Sequence, residues 1–273
     1  RYTDMVEPFS IDESWLDVTG TTHLFGSGKE IADTLRHVVA RETGLTISVG
    51  VSFNKVFSKL GSDYKKPDAT TVIDREHFKS IVFPLPVTAL LFVGKSAKEE
   101  LAKLYIYTIG DLAKCDRSLV ISRLGKPGEV IHDYANGIDD SPVIPEYDDK
   151  DVKSVGNGMT FKRDLTGLSD IKISIKALSD IVASRLRRYG LKCSAIQVTI
   201  KNPQLETITR QRTLAAPTYL AREIASIAME IIRASWNLNS PIRMITITGS
   251  SLVPADNASE QLTLFNLNGW AGD

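Results

Sequence analysis

The chain has 273 residues, equal numbers of basic and acidic side chains at 33 each, and 42% apolar residues, enough for two or three domains with real cores. Its two cysteines, Cys115 and Cys193, are far apart and have no metal-ligand spacing, which excludes a disulfide scaffold or a zinc site and fits a reducing cytoplasm. No apolar run approaches the ~18 residues that a membrane span needs, and the N-terminus has no signal-peptide layout, so no membrane partner is expected.

The first informative segment is Ser10-Ile11-Asp12-Glu13, inside the run from Val6 to Asp17. Side chains alternate along a regular strand, so Asp12 and Glu13 can address one centre only at a strand end or a tight turn. Two carboxylates at such a bend suit hard Mg²⁺, which takes one or two carboxylates and fills its shell with water and phosphate oxygens. That is also the need of two-metal phosphoryl transfer. A solvated turn is the plain alternative.

Residues 28–43 are predicted as an amphipathic helix, with Ile31, Leu35, Val38 and Val39 on one face and Gly44 past its end. Leu45 to Val51 alternates as a strand. A short helix starts at the N-cap Asn54, carries Lys55, Lys59 and Ser62 on one face, and cannot pass far beyond Lys66 because Pro67 follows. From residue 84 the pattern turns to short helices with glycine turns. Gly94 leads into 96–104, and Gly125 with Gly128 leads into 129–135. Glycines before a helix N-terminus let backbone N–H groups approach a phosphate. Residues 145–151 are charged, nearly free of apolar side chains, and linker-like.

The zero net charge hides an uneven distribution. Residues 1–73 hold 8 basic and 10 acidic side chains, and residues 74–153 hold 11 and 14. Residues 154–255 hold 14 and 6, a net of +8, and the last 18 residues hold none and 3. A field this positive suits phosphate-backbone binding. The same segment alternates strand and helix patterns in the order βαββαβ. With two helices on one face of its four-stranded sheet, the open face is expected to present Lys201, Arg210, Arg212 and Arg243. A small, polar tail then ends in Gln261-Leu262-Thr263-Leu264-Phe265, an apolar cluster that calls for a binding partner.

Taken together, these blocks resemble the Y-family of DNA polymerases. Ser10 to Glu13, with Trp15-Leu16-Asp17, is similar to the family's palm carboxylate motif. Val49 to Lys59 and Lys66-Pro67 are similar to its next palm block, residues 84–143 to its thumb, and Lys153 to Thr166 to the start of its little finger. Gln261 to Phe265 is similar to the pentapeptide with which bacterial polymerases bind the sliding clamp.

The resemblance implies an α+β multidomain fold. Its parts are a partial α/β palm (1–73), a helical thumb with helix-hairpin-helix-like turns (74–145), a linker (146–153), a βαββαβ little finger (154–255) and a tail (256–273). It implies two Mg²⁺ ions, with Asp12 bridging both and Glu13 ligating the one that activates the primer 3′-hydroxyl. Lys66 would meet the incoming triphosphate as a point charge. Gly94, Gly125, Gly128, Arg210, Arg212 and Arg243 would contact primer–template DNA, and Gln261, Leu262, Leu264 and Phe265 the clamp. The expected setting is a monomer in the bacterial cytoplasm, acting in damage bypass and repair. Lys55 and Lys59 stay open between flanking the site and a solvated face.

Two departures stand out. Phe92 and Tyr105 occupy the first thumb hairpin where relatives commonly have glycine, leaving Gly94 there. The sequence also holds no Asp-x-(Asp/Asn)-x-Phe strand, which supplies the family's third metal carboxylate, and no fingers. These 273 residues by themselves are therefore expected not to extend a primer. The alternative is a non-catalytic module that binds DNA and the clamp.

Overall fold

The computed structural model describes residues 1–145 and 152–256, and the chain divides into two units, Arg1–Asp149 and Lys150–Asp273. Linker residues 146–151 and nearly all of the tail lie outside the described residues.

In the first unit, β1 (Val6–Pro8) pairs antiparallel with β2 (Ser14–Leu16) as a hairpin, followed by α1 (Thr22–Phe25) and α2 (Gly28–Thr43). Ser27 caps α2 through a reciprocal pair: its side chain accepts from Glu30 N–H and the Glu30 carboxylate accepts from Ser27 N–H. Gly44 ends the helix at φ 74°, a left-handed conformation that favours glycine. β3 (Val49–Ser52) and β4 (Thr70–Ile73) pair in parallel and are joined by α3 (Lys55–Tyr64), with Asn54 Oδ1 accepting from Phe57 N–H at 2.9 Å as N-cap. The strand expected from Leu45 begins only at Val49. Its partner begins at Thr70, opposite Val49, and Leu45 is left 67% exposed.

Gly50 and Gly61 let α3 lie directly on β3. A Cβ at Gly50 would drive into the Ser58 carbonyl and fall 2.6 Å from the Ser62 nitrogen, and one at Gly61 would meet the Gly50 Cα at 3.0 Å. This contact fixes the height of α3, and hence of the side chains it carries, above the sheet.

The chain continues through α4 (Phe78–Val82), α5 (Lys95–Ala102), α6 (Ile109–Lys114), α7 (Arg117–Leu124) and α8 (Lys126–Ala135). Thr108 and Asp116 cap α6 and α7. α8 starts three residues earlier than expected, because Pro127 in its first turn costs no helical hydrogen bond. The segments that the sequence divides at residue 73 close over one core, in which Phe57, Leu60 and Ile73 pack with Leu101, Ile109 and Ile131. Asn54 Nδ2 also donates to Gly137 O at 3.0 Å.

The second unit is β5 (Ser154–Leu165), α9 (Gly167–Arg188), β6 (Leu191–Lys201), β7 (Thr207–Thr218), α10 (Ala221–Ser235) and β8 (Ile242–Pro254). Its sheet order is β5-β8-β6-β7, all antiparallel. Ile171, Ile175, Leu178, Val182 and Leu186 recur every three or four residues on α9 and are buried. They pack on Ile196, Val198 and Ile200 of β6 and Ile245 and Ile247 of β8. Ile181, beside Val182 on the same helix, is exposed. Cys193 is buried with its Sγ–H donating to Thr218 O at 3.3 Å, and burial pushes its thiol pKa up to about 11. No helix among the described residues is long and apolar enough to cross a membrane.

Candidate active site and nucleic-acid interface

The carboxylate pair sits on the β1–β2 turn. Phe9 N–H and Ser10 N–H both donate to Glu13 O, at 2.9 and 3.2 Å, and Ser10 Oγ donates to Asp12 Oδ1 at 2.9 Å. Asp12 is exposed and Glu13 half-buried. The hairpin is tied to the start of α3: Trp15 Nε1 donates to Lys55 O at 3.0 Å, and the Phe9 and Trp15 rings lie 4.6 Å apart. A two-stranded hairpin is marginal in water without such packing.

The lysines of α3 differ sharply. Lys55 Nζ bonds Glu7 Oε2 at 2.7 Å and Pro142 O at 2.9 Å, lies over the Trp15 ring, and is largely buried. Ile144 N–H also donates to Glu7 Oε2, at 2.8 Å. Lys55 is thus a buried tie between the hairpin and residues 142–144. Lys59 Nζ bonds Glu13 Oε1 at 2.7 Å and Asp63 Oδ2 at 2.8 Å, and Lys66 Nζ lies 2.6 Å from Asp63 Oδ1. Burial alone would depress the Lys59 ammonium, but its hydrogen bonds to Asp63 and Glu13 outweigh this and raise its pKa. Burial likewise works against ionised Asp63, and the bonds from Lys59 and Lys66 more than offset it, lowering its pKa.

The sequence reading did not single out Glu7 or Asp63. Asp63 carried a signal, since it stands four residues after Lys59 and three before Lys66. Glu7 carried none, because its partners are 48 and 137 residues away.

Asp12 and Glu13 offer hard carboxylate oxygens in accessible positions, and two carboxylates are within what Mg²⁺ ordinarily takes from a protein. The donor set therefore fits that ion, with Lys59 competing for one Glu13 oxygen. Among the described residues, no three or more His, Cys, Asp or Glu side chains converge as a metal site.

At the glycine turns, Gly94 is the N-cap of α5, and Gly125, exposed at φ 63°, is that of α8. Phe92 (φ 68°) and Tyr105 (φ 57°) hold left-handed conformations that favour glycine, and their side chains are 62% and 80% exposed. Gly128 is buried: its N–H donates to Gly125 O at 2.9 Å, and a Cβ there would stand 2.7 Å from Val120 O. Its visible work is to let α8 pack against α7.

The sheet of the second unit departs from expectation. Strand pairing forms three rungs on the face away from the helices: Gly158–Thr246–Thr199–Thr209, Gly156–Thr248–Gln197–Gln211 and Thr160–Met244–Lys201–Thr207. Thr199 and Thr209 share a hydrogen bond of 2.9 Å across them. Arg210 and Arg212 instead pair with Val198 and Ile196, whose side chains enter the helix-covered core. Both arginines therefore project on the helix side of edge strand β7, and Arg212 is ion-paired with Glu230 of α10. Their parity with Ile208 and Leu214 was the available signal. Lys201 lies on the open face as expected, and Arg243 is exposed near the start of β8. Gln261, Leu262, Leu264 and Phe265 lie outside the described residues.

Two family models match: that of the impB/mucB/samB family over residues 1–63, and that of the impB/mucB/samB family C-terminal domain over residues 152–264. The chain is 46% identical over 265 residues to a DNA polymerase IV of Acetivibrio thermocellus, covering 97% of this chain and 66% of that protein. It is 39% identical over 267 residues to a DNA polymerase IV of Clostridium kluyveri, covering 98% of this chain and 66% of that one. The chain thus spans just under two thirds of the length of these relatives. Among solved structures, a chimera of Y-family DNA polymerases shares the fold, with a TM-score of 0.78 at 20% identity over 92% of this chain and 72% of the chimera. Two models of one family, matching from the carboxylate hairpin to the four-stranded sheet, agree with these relatives, and the chain belongs to the impB/mucB/samB family, the Y-family of DNA polymerases.

Proposed function

We propose that the protein is a template-directed DNA polymerase of the damage-bypass type, adding deoxynucleotides to a primer 3′-hydroxyl. The observation that carries this reading is the Asp12–Glu13 turn, backed by Lys59, Asp63 and Lys66, in a chain of this family. Asp12 and Glu13 would hold Mg²⁺, two ions by family resemblance. Bound Mg²⁺ supplies Lewis acidity at phosphoryl oxygens and lowers the pKa of a ligated hydroxyl. Lys66, half-exposed beyond the end of α3, offers a mobile point charge to a triphosphate. Template-directed extension of a labelled primer by the intact protein tests this reading. No extension, with DNA binding retained, would instead support a non-catalytic module that binds DNA and the clamp.

DNA affinity is assigned mainly to residues 154–255, supported by their net charge of +8, from 14 basic and 6 acidic side chains. Backbone and hydroxyl groups of the Gly/Thr/Gln face suit phosphate contacts without reading bases. Expressed alone, this segment is expected to bind primer–template DNA with little sequence preference and a steep salt dependence. Each phosphate neutralised adds about −0.9 to the slope of log K against log salt. Fluorescence anisotropy over a salt series checks this, and a flat response would mean that the positive charge is only solvated surface.

Gln261, Leu262, Leu264 and Phe265 are proposed to anchor the protein in an apolar pocket of the ring-shaped sliding clamp. The small, polar run Asp256-Asn257-Ala258-Ser259-Glu260 serves as tether. Burying Leu264 and Phe265 supplies roughly 1.5–3 kcal/mol each before ordering costs, enough for an exchangeable contact. Calorimetric titration with purified clamp should show binding that is lost in the Leu264→Ala/Phe265→Ala protein. Undiminished binding by that variant removes the assignment.

A further inference from the structure

We infer that Asp63 is a positioning residue that links the carboxylate hairpin to Lys66, so that the state of one is felt at the other. This rests on the reading of Asp12 and Glu13 as the cation site. One carboxylate serves two lysines with separate oxygens, Oδ2 toward Lys59 at 2.8 Å and Oδ1 toward Lys66 at 2.6 Å. Lys59 in turn reaches Glu13 Oε1 at 2.7 Å. Four alternating charges, Glu13, Lys59, Asp63 and Lys66, therefore run in line from the hairpin to the end of α3.

The two ends of this line differ in hold. The Lys59 side chain is 18% exposed and fixed between two carboxylates, whereas Lys66 is 54% exposed and its pair with Asp63 is a surface ion pair, cheap to open. A polyphosphate anion presents several negative charges and outcompetes one carboxylate for Lys66. Once Lys66 leaves, the full charge of Asp63 falls on Lys59 and draws it from Glu13. The Glu13 oxygen is then freer for a cation. Binding of the anion and of the cation are thereby coupled through protein side chains, in addition to any direct contact between the two ligands.

The coupling can be read with Mn²⁺ alone, by electron paramagnetic resonance of the free ion, in the parent protein, Asp63→Asn, Lys66→Gln and the double variant. Removing Lys66 mimics its departure, so Lys66→Gln is expected to tighten Mn²⁺ binding about fivefold in the parent background. In the Asp63→Asn background the same change is expected to do nothing, because the link is already cut. Asp63→Glu should restore the effect. Simple long-range electrostatics would give the same factor in both backgrounds, and that additive result overturns the inference while leaving the cation site intact. If Asp12→Asn and Glu13→Gln leave Mn²⁺ binding unchanged, the cation-site reading fails, and the link fails with it. All these positions are at least partly exposed, and thermal melts of each variant are the check that it is folded.

Discussion

Asp12→Ala or Glu13→Ala in the intact protein is expected to lower template-directed primer extension by at least about 10²–10³-fold, the cost of removing one preorganised group that stabilises transition-state charge. DNA affinity should stay nearly unchanged. Both residues sit on the turn between β1 and β2, and negative charges there do not attract a phosphate backbone. The fold should also survive: Asp12 is exposed and accepts from Ser10 Oγ on the same turn, while loss of the Glu13 side chain leaves Lys59 paired with Asp63. Steady-state extension with Mg²⁺, beside anisotropy on the same primer–template, separates the two effects. Extension retained in the Asp12→Ala protein would falsify the assignment of the carboxylate pair. A parallel loss of binding and melting temperature would reassign the turn to a structural role.

Gly50→Ala should be among the most damaging single-methyl changes in the first unit. The added Cβ has nowhere to go, since it would drive into the Ser58 carbonyl and stand 2.6 Å from the Ser62 nitrogen, both backbone atoms of α3. A flexible side chain could step aside, but a helix backbone cannot, so α3 must lift from β3. Overpacking of this kind costs typically 1–3 kcal/mol and occasionally more. At about 3 kcal/mol the melting temperature should fall by roughly 6–12 °C for a unit of this size. Gly20→Ala is the control, because nothing lies within 4 Å of a Cβ there. Since α3 carries Lys59 and Asp63, extension should also drop below the permissive temperature. An unchanged melting temperature would show that β3 and α3 do not approach as closely as Gly50 and Gly61 imply.

The sequence by itself determined the features that depend on neighbours in the chain. Ser27 and Gly44 bracket α2, and Asn54 starts α3, because caps satisfy backbone groups within one turn. The βαββαβ order was readable because its helices and strands bury one face each, at periods near 3.6 and 2. The carboxylate pair on a bend was legible too, since a regular strand would have sent the two side chains apart. The placement of Phe92 and Tyr105 at turns that favour glycine could be suspected, and their positive φ angles bear on the same point.

Only the tertiary structure decided what depends on distant partners. β3 starts at Val49 and not at Leu45 because β4, which begins at Thr70, offers no ladder earlier. Lys55 and Lys59 are both basic residues on one turn-spaced face of α3. One is buried against Glu7 and Pro142 O while the other bridges Glu13 and Asp63; of these partners only Asp63, four residues after Lys59, is local, and the rest are remote in sequence. Gly128 reads as a loop glycine, yet α7 comes so close that only glycine fits. Arg210 and Arg212 project on the helix side of an edge strand, where Glu230 of α10 takes one of them. A period of two tells which residues share a face, but which face the helices cover, and how far that cover reaches, is set by packing between elements remote in sequence.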